Sequence, residues 1–448
     1  MPSPRRPLHS PLFQIVLGLF LALAIVMTLE AFDRGTFHLV FGDSRTFSHH
    51  DGDSSMRVAI HGDVDFRDDE SGIERLSAGS TFEVEESNRQ GRRRLRARAT
   101  GGGDVEWTWW VDRRERPFDA EAEAWLQEIL PRIFRVSGID ADLRTARLLA
   151  EGGIEAVLEE IPRLEGDYVT RRYLAELIEQ GEPDEDPLAS ILRLGEERIE
   201  SDYELRRVIG VLDPESLVGS ANPALEGALA TLESDYELRR ALTSLTRPAT
   251  SGETLEALVR SASGIASDHE LATFLRHLAE ELGERPLPPG LERLMATVEN
   301  DHEHRRALRA LLLRREDDPQ LPGLLATAKS IEGDHEARRL LAEMAQEWPT
   351  GEPLPAVFFE VASTIQSSHE LRRALDAAAG HRPLDSASLT RVLETALEIS
   401  NDHELGRLLR SIGQAQTLAP EHEPLVERLL GSLENAHERE RVESTLGL

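Results

Sequence analysis

The chain has 448 residues, too many for one small core, and 40% of them are hydrophobic, which is enough to bury cores and argues against disorder. Its formal net charge is −31; residues 1–117 hold 16 basic and 18 acidic residues, which leaves 35 basic and 64 acidic residues beyond them. A body this acidic repels phosphate groups. We therefore expect no nucleic-acid partner and favour basic or neutral protein partners. Cysteine is absent, which excludes disulfides, thiolate metal sites and cysteine nucleophiles.

An apolar segment, residues 12–29, lies near the N-terminus and contains two polar residues. As a helix it would be about 27 Å long, close to the thickness of a hydrocarbon core, so we predict a transmembrane anchor. Arg5 and Arg6 precede it, and the positive-inside rule therefore places residues 1–11 in the cytoplasm. The alternative is a cleaved signal peptide with residues 12–21 as its apolar region. Both alternatives export the body, and we expect a single-pass protein of the bacterial inner membrane with a periplasmic body.

A polar stretch, residues 30–56, predicts a linker. Over residues 57–117 apolar residues alternate with polar ones and are interrupted by turn residues, which predicts a small antiparallel β module. Alternation places Trp107 and Trp109 on one face of its sheet and Trp110 on the other. We favour burial of these rings under the next helix over a ligand platform.

Connecting helices are predicted over residues 118–160. The first begins at Asp119 and ends at Gly138. One broad apolar face of this helix could cover the sheet, and its residues are Trp125, Leu126, Ile129, Leu130, Ile133 and Phe134.

A four-residue block then recurs nine times over residues 161–448, with second positions 33 to 35 residues apart. We call it the capping block. It usually reads Ser, Asn or Gly, then Asp, then Tyr or His, then Glu. The blocks start at Gly166, Ser201, Ser234, Ser267, Asn300, Gly333, Ser367, Asn401 and Asn435.

Each capping block predicts the start of a helix. Its first residue is a favoured N-cap, its Glu completes a capping box, and its Asp lies in the first turn, where the helix dipole favours a carboxylate. Apolar residues before each block predict a second helix, and helix pairs of this length bury their apolar faces by stacking. The predicted fold is therefore mainly α: an α-solenoid of about nine two-helix repeats of 33–35 residues, preceded by the small antiparallel β module and one N-terminal transmembrane helix.

Two stretches carry a family resemblance: Trp109-Trp110-Val111-Asp112-Arg113-Arg114-Glu115-Arg116-Pro117-Phe118-Asp119, and the Ser-Asp-Tyr-Glu-Leu-Arg-Arg sequence of residues 201–207. Together they resemble an uncharacterised family of exported bacterial helical-repeat sequences, found free-standing or fused behind membrane metallopeptidases of the beta-lactam-sensor kind. The resemblance covers roughly residues 57–448. It implies an envelope location and a sensory context. It brings no catalytic residues, and this chain has no peptidase domain.

No sequence motif indicates an enzyme, so we predict neither catalytic residues nor a cofactor. The recurring His-Glu pairs lack the second histidine of a zinc-binding helix, and phosphate-binding and nucleophile motifs are absent. A cluster of possible ligands near the membrane does not have the spacing of a known metal site, and we favour a solvated linker there. Its residues are His49, His50, Asp51, Asp53, His61, Asp63 and Asp65.

The polar side of the repeated helices is the candidate binding region. The Tyr or His ring of each capping block and the arginine four residues later lie on one face of the helix, about 40° apart around its axis. The candidate residues are Tyr203, Arg207, Tyr236, Arg240, His302, Arg306, His335, Arg339, His369 and Arg373. One interpretation, which we favour, is structural: each ring packs on the next repeat, and arginine pairs with Asp or Glu along a ladder such as Asp202 to Arg206. The other is a repeated partner-binding surface. The favoured function is a membrane-anchored, non-enzymatic scaffold, and the alternative is an envelope sensor whose β module binds a small ligand.

Overall fold

The protein is represented by a computed structural model that describes residues 36–41, 44–101, 104–312, 318–348, 352–380 and 383–447. The chain divides into two compact units, Met1–Val211 and Leu212–Leu448. The predicted membrane anchor lies outside the described residues. Within those ranges, no helix is both long and apolar enough to cross a bilayer.

The first unit opens with an antiparallel β module. Its described strands are β1 (Thr36–Phe41), β2 (Ser44–Asp51), β3 (Ser54–His61), β4 (Val64–Phe66), β5 (Ile73–Leu76), β6 (Thr81–Asn88), β7 (Gly91–Ala99), β8 (Val105–Val111) and β9 (Arg114–Arg116). Seven strands form one sheet in the order β1-β2-β3-β6-β7-β8-β9, and β4 pairs with β5 in a separate hairpin. All neighbouring strands are antiparallel.

The linker predicted over residues 30–56 is wrong from residue 36 onward, because β1, β2 and the start of β3 occupy it. Strand β2 has a single fully buried side chain, Phe47, which faces Val58 across the pair with β3. The rest of β2 is polar and half-exposed or exposed. One buried residue in eight leaves too weak an alternation to distinguish this strand from a polar linker.

Helix α1 (Ala120–Ser137) covers one face of the sheet, as predicted. The Asp119 carboxylate caps it by accepting hydrogen bonds from two first-turn N–H groups, and Gly138 ends it with φ 62°. All six predicted apolar residues of the helix are buried against the sheet. Trp109 meets Trp125 of the helix with ring centroids 4.8 Å apart, so the covering-helix interpretation is confirmed for this tryptophan.

The other two tryptophans of β8 have different surroundings. Trp107 stacks on Phe118 with centroids 4.5 Å apart. Trp110 points to the opposite face, where the guanidinium groups of Arg94 and Arg96 lie 4.9 and 5.8 Å from its ring centroid. Cation–π contact therefore covers the ring that faces away from the helix.

The remaining described structure is helical. The first unit continues with α2 (Ala141–Glu160), α3 (Asp167–Gly181), α4 (Glu185–Arg198) and α5 (Asp202–Ile209). The second unit contains α6 (Ala221–Ala230), α7 (Asp235–Leu245), α8 (Gly252–Ser261), α9 (Asp268–Leu282), α10 (Leu291–Met295), α11 (Asp301–Leu312), α12 (Leu321–Thr327), α13 (Asp334–Glu347), α14 (Ala356–Ala362), α15 (Ser368–Ala379), α16 (Ser386–Ala396), α17 (Asp402–Ala415), α18 (Glu423–Ser432) and α19 (Ala436–Leu446).

Every odd-numbered helix from α3 to α19 begins directly after the first residue of a capping block, as predicted. We call these the capped helices. In the second unit, consecutive capped helices from α7 to α19 pack against each other, and several even-numbered helices pack in a second row, such as α6 on α8 and α14 on α16. The capped helices bury apolar residues at helical spacing, for example Leu238, Ala241, Leu242 and Leu245 on α7. The described fold is thus mainly helical, with the antiparallel module before it.

Candidate binding face of the repeated helices

The first residue of the capping block acts as an N-cap, as the sequence predicts. The Ser267 hydroxyl accepts from the Glu270 N–H at 3.4 Å, and the Asn401 side chain accepts from the Glu404 N–H at 3.1 Å. This bond satisfies one of the helix N–H groups that have no partner in the preceding turn. Half of the predicted capping box is therefore confirmed.

The block aspartate has a second role that the sequence analysis missed. The Asp334 carboxylate on α13 accepts hydrogen bonds from the backbone N–H groups of Gln366 and Ser367, at 3.1 and 2.8 Å, just before α15. The aspartate of one repeat therefore holds the backbone at the start of the next repeat. Equivalent bonds are made by Asp167, Asp235, Asp268, Asp301 and Asp402. We call this contact the aspartate clamp.

The clamp corrects the other half of the capping box. A capping-box glutamate accepts from the N–H of the N-cap residue. Here that N–H is already donated to the clamp: Ser267 donates to Asp235 and Gly333 donates to Asp301, each at 2.7 Å. The block glutamate is therefore available to bind another partner.

That partner is an arginine of the preceding repeat, five residues after its N-cap, which we call the inner arginine. Arg338 Nε donates to Glu370 Oε2 at 2.9 Å, and Arg171 Nε donates to Glu204 Oε2 at 2.8 Å. The same pairing joins Arg239 to Glu270, Arg305 to Glu336, and Arg372 to Glu404. The predicted pairing of arginine with Asp or Glu along a ladder is confirmed here for glutamate, which belongs to the next repeat.

Burial makes this ion pair costly to break. Arg305 is only 3% exposed, and Glu336 lies next to it in a half-buried site. Burial disfavours the charged form of Glu336, but the hydrogen bond and charge of Arg305 outweigh it and lower the pKa of the carboxyl. Removing either partner would leave a charge without its counter-ion in a half-buried place, which is costly.

Three repeats lack the inner arginine, and in the last of them Glu440 stands at this position. Gly406 stands at this position in α17, and Arg410, one turn later, donates to Glu438 at 2.7 Å instead. A Cβ on Gly406 would lie 2.9 Å from Glu438 Oε2, so the glycine leaves room for this longer reach. Ala272 occupies the position in α9, and there Glu303 contacts His269 at 3.3 Å.

The ring of the capping block lies beside the same glutamate on the solvent side. His302 Nδ1 is 3.6 Å from Glu336, and His369 Nδ1 is 3.5 Å from Glu404. The other predicted histidine, His335, is 4.0 Å from Glu370. Tyr203 and Tyr236 are 45% and 48% exposed, unusually high for large rings. The three histidines therefore lie beside glutamates of the next repeat, and the two tyrosine rings are largely exposed.

The next residue in every capped helix except α9 is an arginine, which we call the outer arginine, and the five outer arginines among the predicted site residues interact within their own repeats. Arg306 lies 3.2 Å from Glu303, and Arg339 lies 3.8 Å from Glu336. Arg373 lies 3.8 Å from Glu370. Arg207 and Arg240 lie over the tyrosine rings of their own blocks, 5.8 and 5.6 Å from the centroids. The ten predicted site residues thus divide into rings and outer arginines that recur once per repeat and form no single pocket.

The cluster of His and Asp near the predicted linker is distributed over separate partners. His49 Nε2 lies 3.4 Å from Glu165, His61 Nδ1 is 3.0 Å from the Ser44 hydroxyl, and Asp65 pairs with Arg75. In the part of the chain that the structure describes, no group of three or more His, Cys, Asp or Glu side chains is placed to hold a metal ion.

A buried ionic network in the first unit was not predicted. Arg144 is buried on α2 and donates to Glu160 at 2.7 Å, to the Tyr173 hydroxyl at 3.1 Å and to Glu70 at 2.5 Å. Glu70 lies in the β4–β5 turn, so the network ties the β module to α2 and α3. Burial raises the pKa of Tyr173, and the neighbouring arginines lower the pKa of Glu160 despite its burial. Arg144 binds the other three groups at once, which is a structural arrangement.

Comparisons with known proteins give little. No protein family matches the chain, and no curated protein shows significant similarity to it. One solved structure, from work on the computational design of self-assembling cyclic protein homooligomers, is 14% identical; the match covers 69% of this chain and 93% of that chain, with a TM-score of 0.11. A TM-score this low carries no argument about fold or assembly.

Proposed function

We propose that the repeats form an α-solenoid that serves as a non-enzymatic scaffold and binds a protein partner through its rings and outer arginines. The observation that carries the proposal is the difference between the two arginines of each block. The inner arginine is bonded to a glutamate of the next repeat, whereas the rings and outer arginines recur at the surface. Exposed aromatic and arginine side chains are the residue types enriched at protein interfaces.

The charge of the body determines which partners it favours. With 64 acidic residues against 35 basic ones beyond residue 117, a basic or neutral partner gains from electrostatic attraction and an acidic one is repelled. We place this partner in the bacterial periplasm and the scaffold on the inner membrane, tethered through residues 12–29. Protease added to intact spheroplasts should then cut the repeats; resistance until lysis would contradict this topology.

Site-specific photocrosslinking in the native envelope tests the binding face. A crosslinker at Tyr236 or at His335 should label the same partner protein, because the two positions belong to one repeating surface. The matched control is Glu253, an exposed first-turn residue of α8, which is not a capped helix. Equal labelling from Glu253, or labelling that survives replacement of Arg240 and Arg339 by alanine, would count against the proposal.

A second candidate function is an envelope sensor, and one observation favours it. An open cavity of about 230 Å³ lies beside Trp110 on the uncovered sheet face, lined also by Glu85, Arg92, Arg94 and Arg113. An aromatic ring among guanidinium groups could hold a small anionic ligand. A ligand-induced thermal shift that Trp110→Ala abolishes would support the sensor, whereas a pure scaffold should show none.

A further inference from the structure

A positively charged pocket interrupts the acidic second unit. It has a volume of about 400 Å³ and lies across the three consecutive capped helices α9, α11 and α13. Five arginines line it: Arg276, Arg305, Arg306, Arg309 and Arg339. His302 and Ala310 complete the lining, and none of the lining residues is acidic.

The sequence concentrates arginine at this place. The position nine residues after the N-cap holds arginine at Arg276 and Arg309, in two successive repeats. Among the other seven repeats only Arg410 shares this feature; the rest have Ala175, Gly210, Thr243, Ala342, Asp376 and Ser444. Arg410 is already bonded to Glu438 at 2.7 Å. The pair of consecutive arginines therefore goes beyond what the contacts between repeats require.

Neighbouring acids neutralise only part of this charge. Glu336 and Glu343 flank Arg305, and Glu343 lies 3.8 Å from Arg309. Glu303 pairs with Arg306 at 3.2 Å. Three carboxylates against five guanidinium groups leave an excess of two positive charges among the described residues.

Arg276 is the arginine of the pocket that most favours a bound anion. It is half-buried on α9, and among the described residues it makes no ion pair. A half-buried guanidinium without a counter-ion loses hydration and gains no attraction in return, so an anion in the pocket would be stabilised. Guanidinium forks bind planar or tetrahedral oxyanions through paired hydrogen bonds.

We propose that this arginine pocket is a binding site for a small oxyanion that carries two negative charges, a phosphate-type or dicarboxylate group. The pocket shares His302, Arg306 and Arg339 with the proposed partner-binding face, but Arg276 and Arg309 do not belong to that face. A dianion matches the excess charge of two and would bridge Arg276 of one repeat to Arg309 of the next. One site per chain is expected, because only α9 and α11 carry the arginine pair.

Isothermal titration calorimetry on the full-length chain tests the site. Inorganic phosphate and malonate are titrated separately at pH 7.5 and constant ionic strength, with acetate as the monoanion control. One saturable site is expected for phosphate or for malonate, and the dianion that binds identifies the ligand as tetrahedral or dicarboxylate. Saturable binding of neither dianion, or equally strong binding of acetate, would overturn the proposal.

Variants locate the binding in the pocket. Arg276→Ala combined with Arg309→Ala should weaken binding at least tenfold, whereas Arg407→Ala, an exposed arginine on α17, should leave it unchanged. Binding that survives the double variant, or that falls equally in the Arg407 control, would place the anion elsewhere. If the double variant has a lower melting temperature than wild type, the single variant Arg276→Gln replaces it, because Arg276 makes no ion pair among the described residues. The same loss of anion binding is expected for this variant.

Discussion

Replacing Asp334 by alanine removes one aspartate clamp. The carboxylate accepts from Gln366 N–H at 3.1 Å and from Ser367 N–H at 2.8 Å, and a hydrogen bond to a charged group contributes about 1.5–3 kcal/mol. Both donors lie close enough to the surface for water to replace the carboxylate in part. We therefore use the lower end of that energy range and expect the local stability to fall by about 2 kcal/mol. In a repeat array this loss stays near the affected contact.

Hydrogen exchange measures this loss directly. A local change of about 2 kcal/mol corresponds to roughly 30-fold faster exchange, and we expect it at the amides of Gln366 and Ser367. The control is Glu253→Ala, which removes a first-turn acid from α8 and so tests the helix dipole alone, worth less than about 1 kcal/mol. Unchanged exchange at Gln366 and Ser367, or the same effect on local stability in the control, would refute the clamp.

Three further predictions concern stability. Ser368→Asp should stabilise the chain by about 1 kcal/mol in thermal melts, because Ser368 now accepts from Ser400 N–H at only 3.2 Å, where an aspartate would complete the clamp. Burial, with a smaller contribution from a neighbouring carboxylate, raises the pKa of Asp140 to about 6. The contribution of this side chain to the free energy of unfolding is therefore full below about pH 4 and is lost as the pH rises through 6. Asp140→Asn should therefore be more stable than wild type at pH 7, by at most about 3 kcal/mol in urea melts, and equal to it near pH 4. Burial lowers the pKa of His304, whose Nδ1 lies 3.0 Å from the Val298 carbonyl. The contribution of this histidine to stability is therefore present above about pH 6.5 and lost below it. His304→Gln should reduce the loss of stability on acidification below about pH 6.5, measured in urea melts.

Local patterns in the sequence predicted a large part of the fold. The helix that covers the sheet was predicted from Asp119 to Gly138 because a cap, a broad apolar stripe and a stop agree with one another. The starts of the capped helices were predicted for the same reason, since an N-cap acts within one turn. By contrast, β2 escaped prediction because one buried residue, Phe47, is too little to produce an alternation.

The aspartate clamp and the inner-arginine pairs were missed because they join residues more than 30 positions apart. A helix dipole accepts either acid in the first turn, yet the block uses Asp in seven of nine repeats and never Glu at this position. That preference for the shorter side chain is the signal that would have indicated the clamp. The arginine pocket was missed for a related reason: Arg276 and Arg309 lie outside the capping block and become neighbours only when the repeats stack.

We claim that only the inner arginine stabilises the contact between repeats, and paired melts of Arg239→Ala and Arg240→Ala test this claim. Both guanidinium groups lie over Tyr236, 5.1 and 5.6 Å from its centroid, so the two variants lose a similar cation–π contact. Only Arg239 also bonds to Glu270 of the next repeat. We predict that Arg239→Ala lowers the melting temperature by about 3 °C or more, whereas Arg240→Ala stays within about 1 °C of wild type. Equal lowering in both variants, or none in either, would contradict the claim.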